Sequence, residues 1–161
     1  MSGSVRYGKK EIKEWIDKQK DIKTIVDFGC GEGTYPKLLG NKYYWIGIDI
    51  WEPYVEMFNL KEIYNKIIIE DISKVDLPKG DCAILGDVIE HLPKKIALKI
   101  FKKIYKNYKH IILSIPIGKY PSRESHCNKY TIHLSTWKFS EFGKYDWEIK
   151  FNVRSIGVFI K

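Results

Sequence analysis

The chain is short of the features that mark secreted, membrane-spanning and metal-cluster proteins. It has three cysteines in 161 residues, Cys30, Cys82 and Cys127. The number is odd, the spacing is wide, and none forms a C-x-x-C pair, so neither a disulfide framework nor a cysteine-ligated zinc module is expected. Reduced thiols imply a cytoplasmic setting. No apolar run approaches the roughly 20 residues that span a bilayer. The opening Met1-Ser2-Gly3-Ser4 lacks the apolar core of a signal peptide. There is no internal repeat, low-complexity tract or linker, so residues 1–161 are expected to form one domain with a sizeable core. Arginine is also scarce. Arg6, Arg123 and Arg154 stand against 25 lysines, although the net charge is +8. Bidentate recognition of phosphates and bases relies on arginine. The abundance of Lys, with 25 Ile, reflects an AT-rich coding bias as much as a function. The lysines are densest from 94 to 109, where Ile96, Ile100, Ile104 and Tyr108 fall on one helical face and the lysines oppose them. That pattern reads as a solvated helix, so charge alone is a weak pointer to a nucleic-acid partner.

The richest segment is Ile25-Val26-Asp27-Phe28-Gly29-Cys30-Gly31-Glu32-Gly33. An apolar strand ends on an acid, three glycines follow at alternate positions, and a helix-like segment begins with Pro36 near its first turn. A dinucleotide fold needs G-x-G-x-x-G, so that a diphosphate can rest on the helix N-terminus. Here the spacing is G-x-G-x-G, and the Asp27 carboxylate would repel a diphosphate and suit a cationic ligand. S-adenosylmethionine carries an ammonium and a sulfonium and no phosphate. On these residues the chain resembles the class I S-adenosylmethionine-dependent methyltransferases, whose first motif is an acid followed by G-x-G-x-G. The resemblance assigns Asp27, Gly29, Gly31 and Gly33 to the cofactor.

Three further landmarks follow in order. The strand Tyr43–Ile50 ends at Asp49. An acid at the end of the second strand of a nucleoside-binding α/β fold accepts ribose hydroxyls, with Ile50 beside it. The strand Lys66–Ile69 runs into Glu70, Asp71 and Ile72. In the resembled family an acid here receives the adenine amino group and the next residue packs on the ring. Asp71 and Ile72 match, and Glu70 is the alternative one register earlier. The Asp87-Val88-Ile89-Glu90-His91-Leu92 run looks like the motif that borders the methyl-transfer pocket after the fourth strand. Each acid also has a purely structural reading, as a cap of the following turn or helix.

Strands are predicted near 24–28, 44–49, 66–70, 81–86 and 110–115, with helices between them and one at about 9–20. Such alternation implies a parallel sheet covered on both faces. Ser135 is the expected N-cap of a helix running to Phe142, with Gly143 as its stop. Two adjacent strands near 146–151 and 155–160 imply an antiparallel hairpin at the sheet edge. The predicted fold is thus a single-domain, doubly wound, mostly parallel α/β sheet. The resembled family completes a seven-stranded sheet with such a hairpin.

Methyl transfer from a sulfonium is an in-line displacement with a good neutral leaving group. Alignment and exclusion of water matter most, and a base is needed only if the acceptor must lose a proton. The polar stretch 116–134 is long enough to line a site. It holds His126 and His133, and His133 is the favoured base. Asp87 borders the same pocket and His126 is the further catalytic candidate. His126, Cys127 and His133 lack a familiar ligand spacing, so no metal is expected. His91 is expected to steady the helix after the fourth strand, His110 to open a surface strand, and Tyr7 either to fold over the cofactor or to fray. With no appended recognition domain, a small-molecule acceptor is expected, giving S-adenosylhomocysteine as the second product. RNA or protein is the alternative acceptor. Against it, there is no Asn/Asp-Pro-Pro-aromatic motif of base-amino methylation and no cysteine placed for cytosine carbon chemistry. A non-catalytic cofactor-binding subunit is the third reading.

Overall fold

The strands form from short runs rich in apolar and β-branched residues, which suit a sheet buried on both faces. The computed structural model describes residues 7–161; the Met1–Ser4 stretch read above for a signal peptide lies outside them. Seven strands form one sheet: β1 (Thr24–Phe28), β2 (Tyr44–Asp49), β3 (Lys66–Ile69), β4 (Cys82–Gly86), β5 (His110–Pro116), β6 (Ile149–Val153) and β7 (Ile156–Ile160). Their order is β3-β2-β1-β4-β5-β7-β6. β1 pairs in parallel with β2 and β4, and β3 and β5 extend the parallel part on either side. β7 runs antiparallel between β5 and β6. The hairpin turn places Arg154 and Ser155 at positive φ, the backbone twist that suits a two-residue connection. This is the mostly parallel, doubly wound α/β sheet with a C-terminal hairpin that the sequence led us to expect.

The pleat sends alternate residues to opposite faces. Ile25, Trp45, Cys82, Ile84, Ile112 and Val158 pack beneath α1 (Lys9–Ile16), α2 (Thr34–Leu39) and α3 (Tyr54–Met57). Val26, Phe28, Ile48, Leu85, Leu113 and Phe159 pack against α4 (Lys94–Asn107) and α5 (Phe139–Gly143). The chain order reverses between β1 and β4, where an open α/β sheet forms a crevice at its strand carboxyl ends.

Several element limits differ from the sequence reading. α1 stops at Ile16, since Asp17-Lys18-Gln19-Lys20 offers nothing to bury. α4 buries Ala97, Ile100, Phe101 and Ile104. Ile96 is exposed, because it lies about 100° around the helix from Ala97. α5 begins at Phe139, with the Glu141 side chain accepting from the Lys138 N–H at 2.8 Å. Ser135 is not its cap. Its N–H donates to the Glu90 carbonyl at 3.0 Å. β6 starts at Ile149, because Trp147 turns into the core and donates to the Phe142 carbonyl at 2.8 Å. His110 opens β5 but is buried, with Asp21 3.0 Å from its Nε2 and Trp15 edge-on at 5.5 Å. Among the described residues no helix is long and apolar enough to cross a membrane.

Candidate active site

The carboxyl ends of β1, β2, β3, β4 and β5 surround a cavity of about 590 Å³, within the range of small-ligand pockets. Its floor begins with the glycine turn. Gly29, Gly31 and Gly33 all have positive φ. The Gly29 and Cys30 N–H groups donate to the Ile48 carbonyl at 2.8 and 3.0 Å, which locks the turn onto β2. A Cβ at Gly29 would stand 2.5 Å from Val88 Cγ2, so this glycine serves close packing. A Cβ at Gly31 would meet nothing nearer than the Gly29 carbonyl at 3.8 Å. The open side of the turn is therefore at Gly31, which lines the cavity as Gly29 does.

Asp49 lines the cavity and is oriented on both oxygens. Gly31 N–H donates to Oδ2 and Trp51 N–H to Oδ1, each at 2.9 Å. A carboxylate has about four acceptor positions, so capacity remains for ligand hydroxyls. Burial raises its pKa, and the three backbone N–H groups of Trp51, Gly31 and Ile50 oppose that rise. Ile50, Asp71, Ile72 and Asp87 line the same cavity, whereas Glu70 does not. Asp71 Oδ1 accepts from Ser73 N–H at 2.8 Å, as in a turn cap. Asp87 holds a left-handed backbone at φ 56, a strained conformation that Asp tolerates better than most residues. Ser114 Oγ stands 3.5 Å from its Oδ1.

Three assigned residues do not line the cavity. Asp27 shares a pleat face with Ile25, whose side chain packs with residues of α1 and α2, and it does not line the cavity. It is fully buried and accepts the Tyr64 hydroxyl at 2.6 Å. Burial raises its pKa to about 7, partly offset by Tyr64 and Lys9. This acid, expected to face a cationic ligand, is here engaged by an internal hydrogen bond and does not line the cavity. A Cβ at Gly33 would meet Ile63 and Leu60 at 3.3–3.4 Å. His126 packs edge-on against Tyr54 and Phe58, with Glu32 3.7 Å away. It ties the loop to α3. Tyr7 accepts a hydrogen bond from Arg154 at the β6–β7 turn, also outside the cavity.

The loop after β5 forms the opposite wall and contributes Tyr120, Arg123, Tyr130 and His133. Backbone anchors hold it: Gly118 N–H donates to the Trp137 carbonyl at 2.8 Å, and Leu134 and Ser135 N–H both donate to the Glu90 carbonyl. The sequence reading assigned no role to the loop tyrosines, to Arg123 or to Glu90. For Glu90 a signal was present, an acid directly before a histidine at the end of β4. Glu90 is fully buried, lines the cavity, and has no hydrogen-bond partner on either carboxylate oxygen. Burial, reinforced by Asp87, pushes its pKa well above the usual range. His91 Nδ1 lies 3.2 Å from the Ile132 carbonyl, and the His91 and His133 rings meet at 4.9 Å. Burial lowers the pKa of both histidines, which favours the neutral ring. His91 is therefore part of the cavity wall.

A profile of the methyltransferase domain family matches residues 26–112, from β1 through β5. No curated protein sequence matches the chain. Among solved structures, the PH0226 protein of Pyrococcus horikoshii OT3 superposes with a TM-score of 0.70 at 16% identity, covering 97% of this chain and 91% of that one. The 1,6-didemethyltoxoflavin-N1-methyltransferase of Burkholderia thailandensis, solved with its substrate and S-adenosylhomocysteine, gives 0.69 at 12% identity, covering 96% and 75%. The small RNA methyltransferase HEN1 gives 0.68 at 19% identity. There 99% of this chain is covered but only 26% of that one, so this chain spans about a quarter of it. At these identities the likeness establishes the fold.

Proposed function

The chain belongs to the methyltransferase domain family, in its class I S-adenosylmethionine-dependent form, and from that premise we propose that residues 1–161 act as one domain that methylates a small molecule. The reading is carried by one observation. Gly29, Gly31, Asp49, Ile50, Asp71, Ile72 and Asp87 come from four separate strand ends and line a single cavity.

Those residues fit S-adenosylmethionine. Gly31 offers an unobstructed approach. Asp49 is held by backbone N–H groups with acceptor positions to spare for ribose hydroxyls. Ile72 offers an apolar surface for the base, with Asp71 beside it for the exocyclic amine. When bound, the cofactor supplies an electrophilic methyl on a sulfonium. The carboxylates of Asp87 and Asp49 give the cavity a negative lining suited to that cation. The loop wall from Pro116 to Leu134 then limits water and positions the acceptor. Of the two loop histidines only His133 lines the cavity, so we assign it, and not His126, to act on the acceptor.

The volume and the enclosing loop favour a small acceptor. The net charge of +8 favours the second reading, an RNA acceptor held by the lysines. The unpaired cysteines Cys30, Cys82 and Cys127 support a cytoplasmic setting as part of this reading. Calorimetry or thermal shift with S-adenosylmethionine, S-adenosylhomocysteine and NAD in parallel tests the ligand class. Ligand at 100 times its Kd stabilises by about 2.7 kcal/mol. The sulfur ligands are expected to do this and NAD to leave the protein unchanged; the reverse pattern overturns the reading. Labelled methyl groups recovered in the small-molecule fraction of a cell extract support the first acceptor class. Recovery in RNA, lost steeply with added salt, supports the second.

A further inference from the structure

We propose that Glu90, His91 and His133 form a divalent-cation site opening into the cavity, where the cation takes a hydroxyl oxygen of the methyl acceptor as a further ligand. The cation site stands on its own geometry; the identity of the acceptor group rests on the methyltransferase reading.

Glu90 carries the inference. Its side chain is 1% exposed, and neither oxygen has a hydrogen-bond partner. An isolated buried carboxylate is among the costliest groups a fold can hold, unless an ion or ligand answers it. It lines the cavity, so a cation entering from that side reaches it. His91 is already oriented for the same task. The Ile132 carbonyl can only accept, so His91 Nδ1, 3.2 Å away, carries the proton. Its Nε2 keeps the lone pair and lies 4.0 Å from Glu90 Oε1. A histidine that donates one ring nitrogen to a backbone carbonyl and presents the other is the usual metal-ligating arrangement. His133 brings the third ligand. Its own N–H is fixed to Ser122 Oγ at 2.9 Å, and the next two N–H groups bind the Glu90 carbonyl.

One ligand atom from each residue lies within 4.8 Å of the other two. Ligands at about 2.0–2.2 Å from one cation stand about 3–3.5 Å apart, so side-chain rotations of little more than an ångström close the set. A direct Glu90–His91 bond does not account for the group, since 4.0 Å exceeds hydrogen-bond range. Two imidazoles and one carboxylate suit Zn²⁺, Mn²⁺, Fe²⁺ or Co²⁺ and leave coordination positions open. This reverses the expectation of no metal, which weighed His126, Cys127 and His133; Cys127 is exposed and His126 is packed against α3.

The chemistry that follows is O-methylation. A hydroxyl bound to the cation loses its proton more readily, and solvent water takes it. The oxygen lone pair forms the new C–O bond as the methyl–sulfur bond breaks, its electron pair returning to sulfur. Atoms and charge then balance as a methyl ether, S-adenosylhomocysteine and one released proton. His133 is here a ligand and not the base.

The test uses the full chain, stripped of metal with a chelator and dialysed. Co²⁺ titration followed by visible absorption is expected to show one ion per chain, competed by Zn²⁺. Glu90→Gln and His133→Ala are each expected to weaken binding roughly tenfold or more, and His126→Ala to leave it unchanged. No stoichiometric binding, or wild-type binding by Glu90→Gln and His133→Ala, overturns the site. His133→Ala lies on the loop and keeps the test open if the buried variant does not fold. S-adenosylhomocysteine binding is measured on the same samples. Cofactor binding without Co²⁺ binding rejects the site and leaves the methyltransferase reading intact. Co²⁺ binding without cofactor binding does the opposite. Transfer of labelled methyl into a heated cell extract, abolished by EDTA and restored by Mn²⁺, supports the acceptor role. Transfer indifferent to EDTA overturns it.

Discussion

Asp27→Asn is expected to change how stability depends on pH while leaving the cofactor site intact. The Asp27 carboxyl is carried from its ordinary 3.8 to about 7 by burial, with Asp49 adding to the rise and Tyr64 and Lys9 opposing it. Between those values the folded chain holds a proton that the unfolded chain has lost, so stability falls as pH rises. The contribution is fully present below pH 3.8 and is lost by the time pH passes 7. At 1.36 kcal/mol for each tenfold change in proton affinity, the span amounts to an upper limit of about 4 kcal/mol. Asparagine cannot ionise, and its carbonyl can still accept from the Tyr64 hydroxyl. Its amide N–H groups bring an unmet donor cost of about 1–3 kcal/mol at every pH. The variant should therefore be less stable than the parent near pH 4 and more stable near pH 8, with the two curves crossing between. Urea midpoints at half-unit pH intervals, at constant m, measure this. The difference between the two proteins cancels the other titrating groups. Parallel curves would refute the burial argument. Since Asp27 does not line the cavity, S-adenosylhomocysteine affinity should stay within about threefold of the parent, less than one charge-assisted hydrogen bond is worth. A larger loss would return Asp27 to the ligand.

Asp49→Ala removes an acceptor that binds the Gly31 and Trp51 N–H groups and lines the cavity. It should weaken S-adenosylhomocysteine binding by about 1.5–3 kcal/mol, read by calorimetry. Unchanged affinity would detach Asp49 from the cofactor. Gly29→Ala should lower stability by about 2–4 kcal/mol, since positive φ and the 2.5 Å approach of Val88 act together. Gly31→Val shares the positive φ but has open space around the new Cβ, so it should cost stability through backbone strain alone, about 1–3 kcal/mol, and fall more on cofactor affinity than Gly29→Ala does. A denaturant curve and a binding isotherm separate the two, and identical profiles would contradict the division of labour in the turn. His133→Ala should depress methyl transfer at unchanged cofactor affinity; normal turnover would remove it from the acceptor site.

The parallel half of the sheet was legible because strands buried on both faces are continuous apolar runs, and β1 to β4 each stop at or just before an acid or a glycine. Ile25-Val26, Trp45–Ile48 and Ala83–Leu85 need no tertiary information to be found. What the sequence could not show was the covering of each residue. His110 reads as a surface residue until Trp15 and Asp21 are seen over it. Ser135 reads as a helix cap until the Glu90 carbonyl, 45 positions away, takes its N–H. Asp27 shows the limit most clearly. Motif spacing places it at the strand tip, but the pleat decides the face, and Ile25 on the same face already commits that side to the core beneath α1.

Glu90 marks the reverse case, a residue plain in the sequence whose meaning lies in what fails to surround it. An acid before a histidine at the end of a strand reads equally as a turn cap, an ion pair or a ligand. The fold removes the first two, because neither carboxylate oxygen finds a partner and the nearest histidine nitrogen stands at 4.0 Å. Leaving such a group unanswered costs about 1–3 kcal/mol or more, a sizeable share of the 5–15 kcal/mol that holds an ordinary domain together. An apolar side chain of similar length would remove that cost. If Glu90 does no more than fill space, Glu90→Leu should therefore raise the melting temperature and leave methyl transfer untouched. If it serves a cation and its acceptor, the same variant should be more stable than the metal-free parent, gain nothing from added cation, and be inactive. Those two measurements on one protein decide between a packing accident and a site.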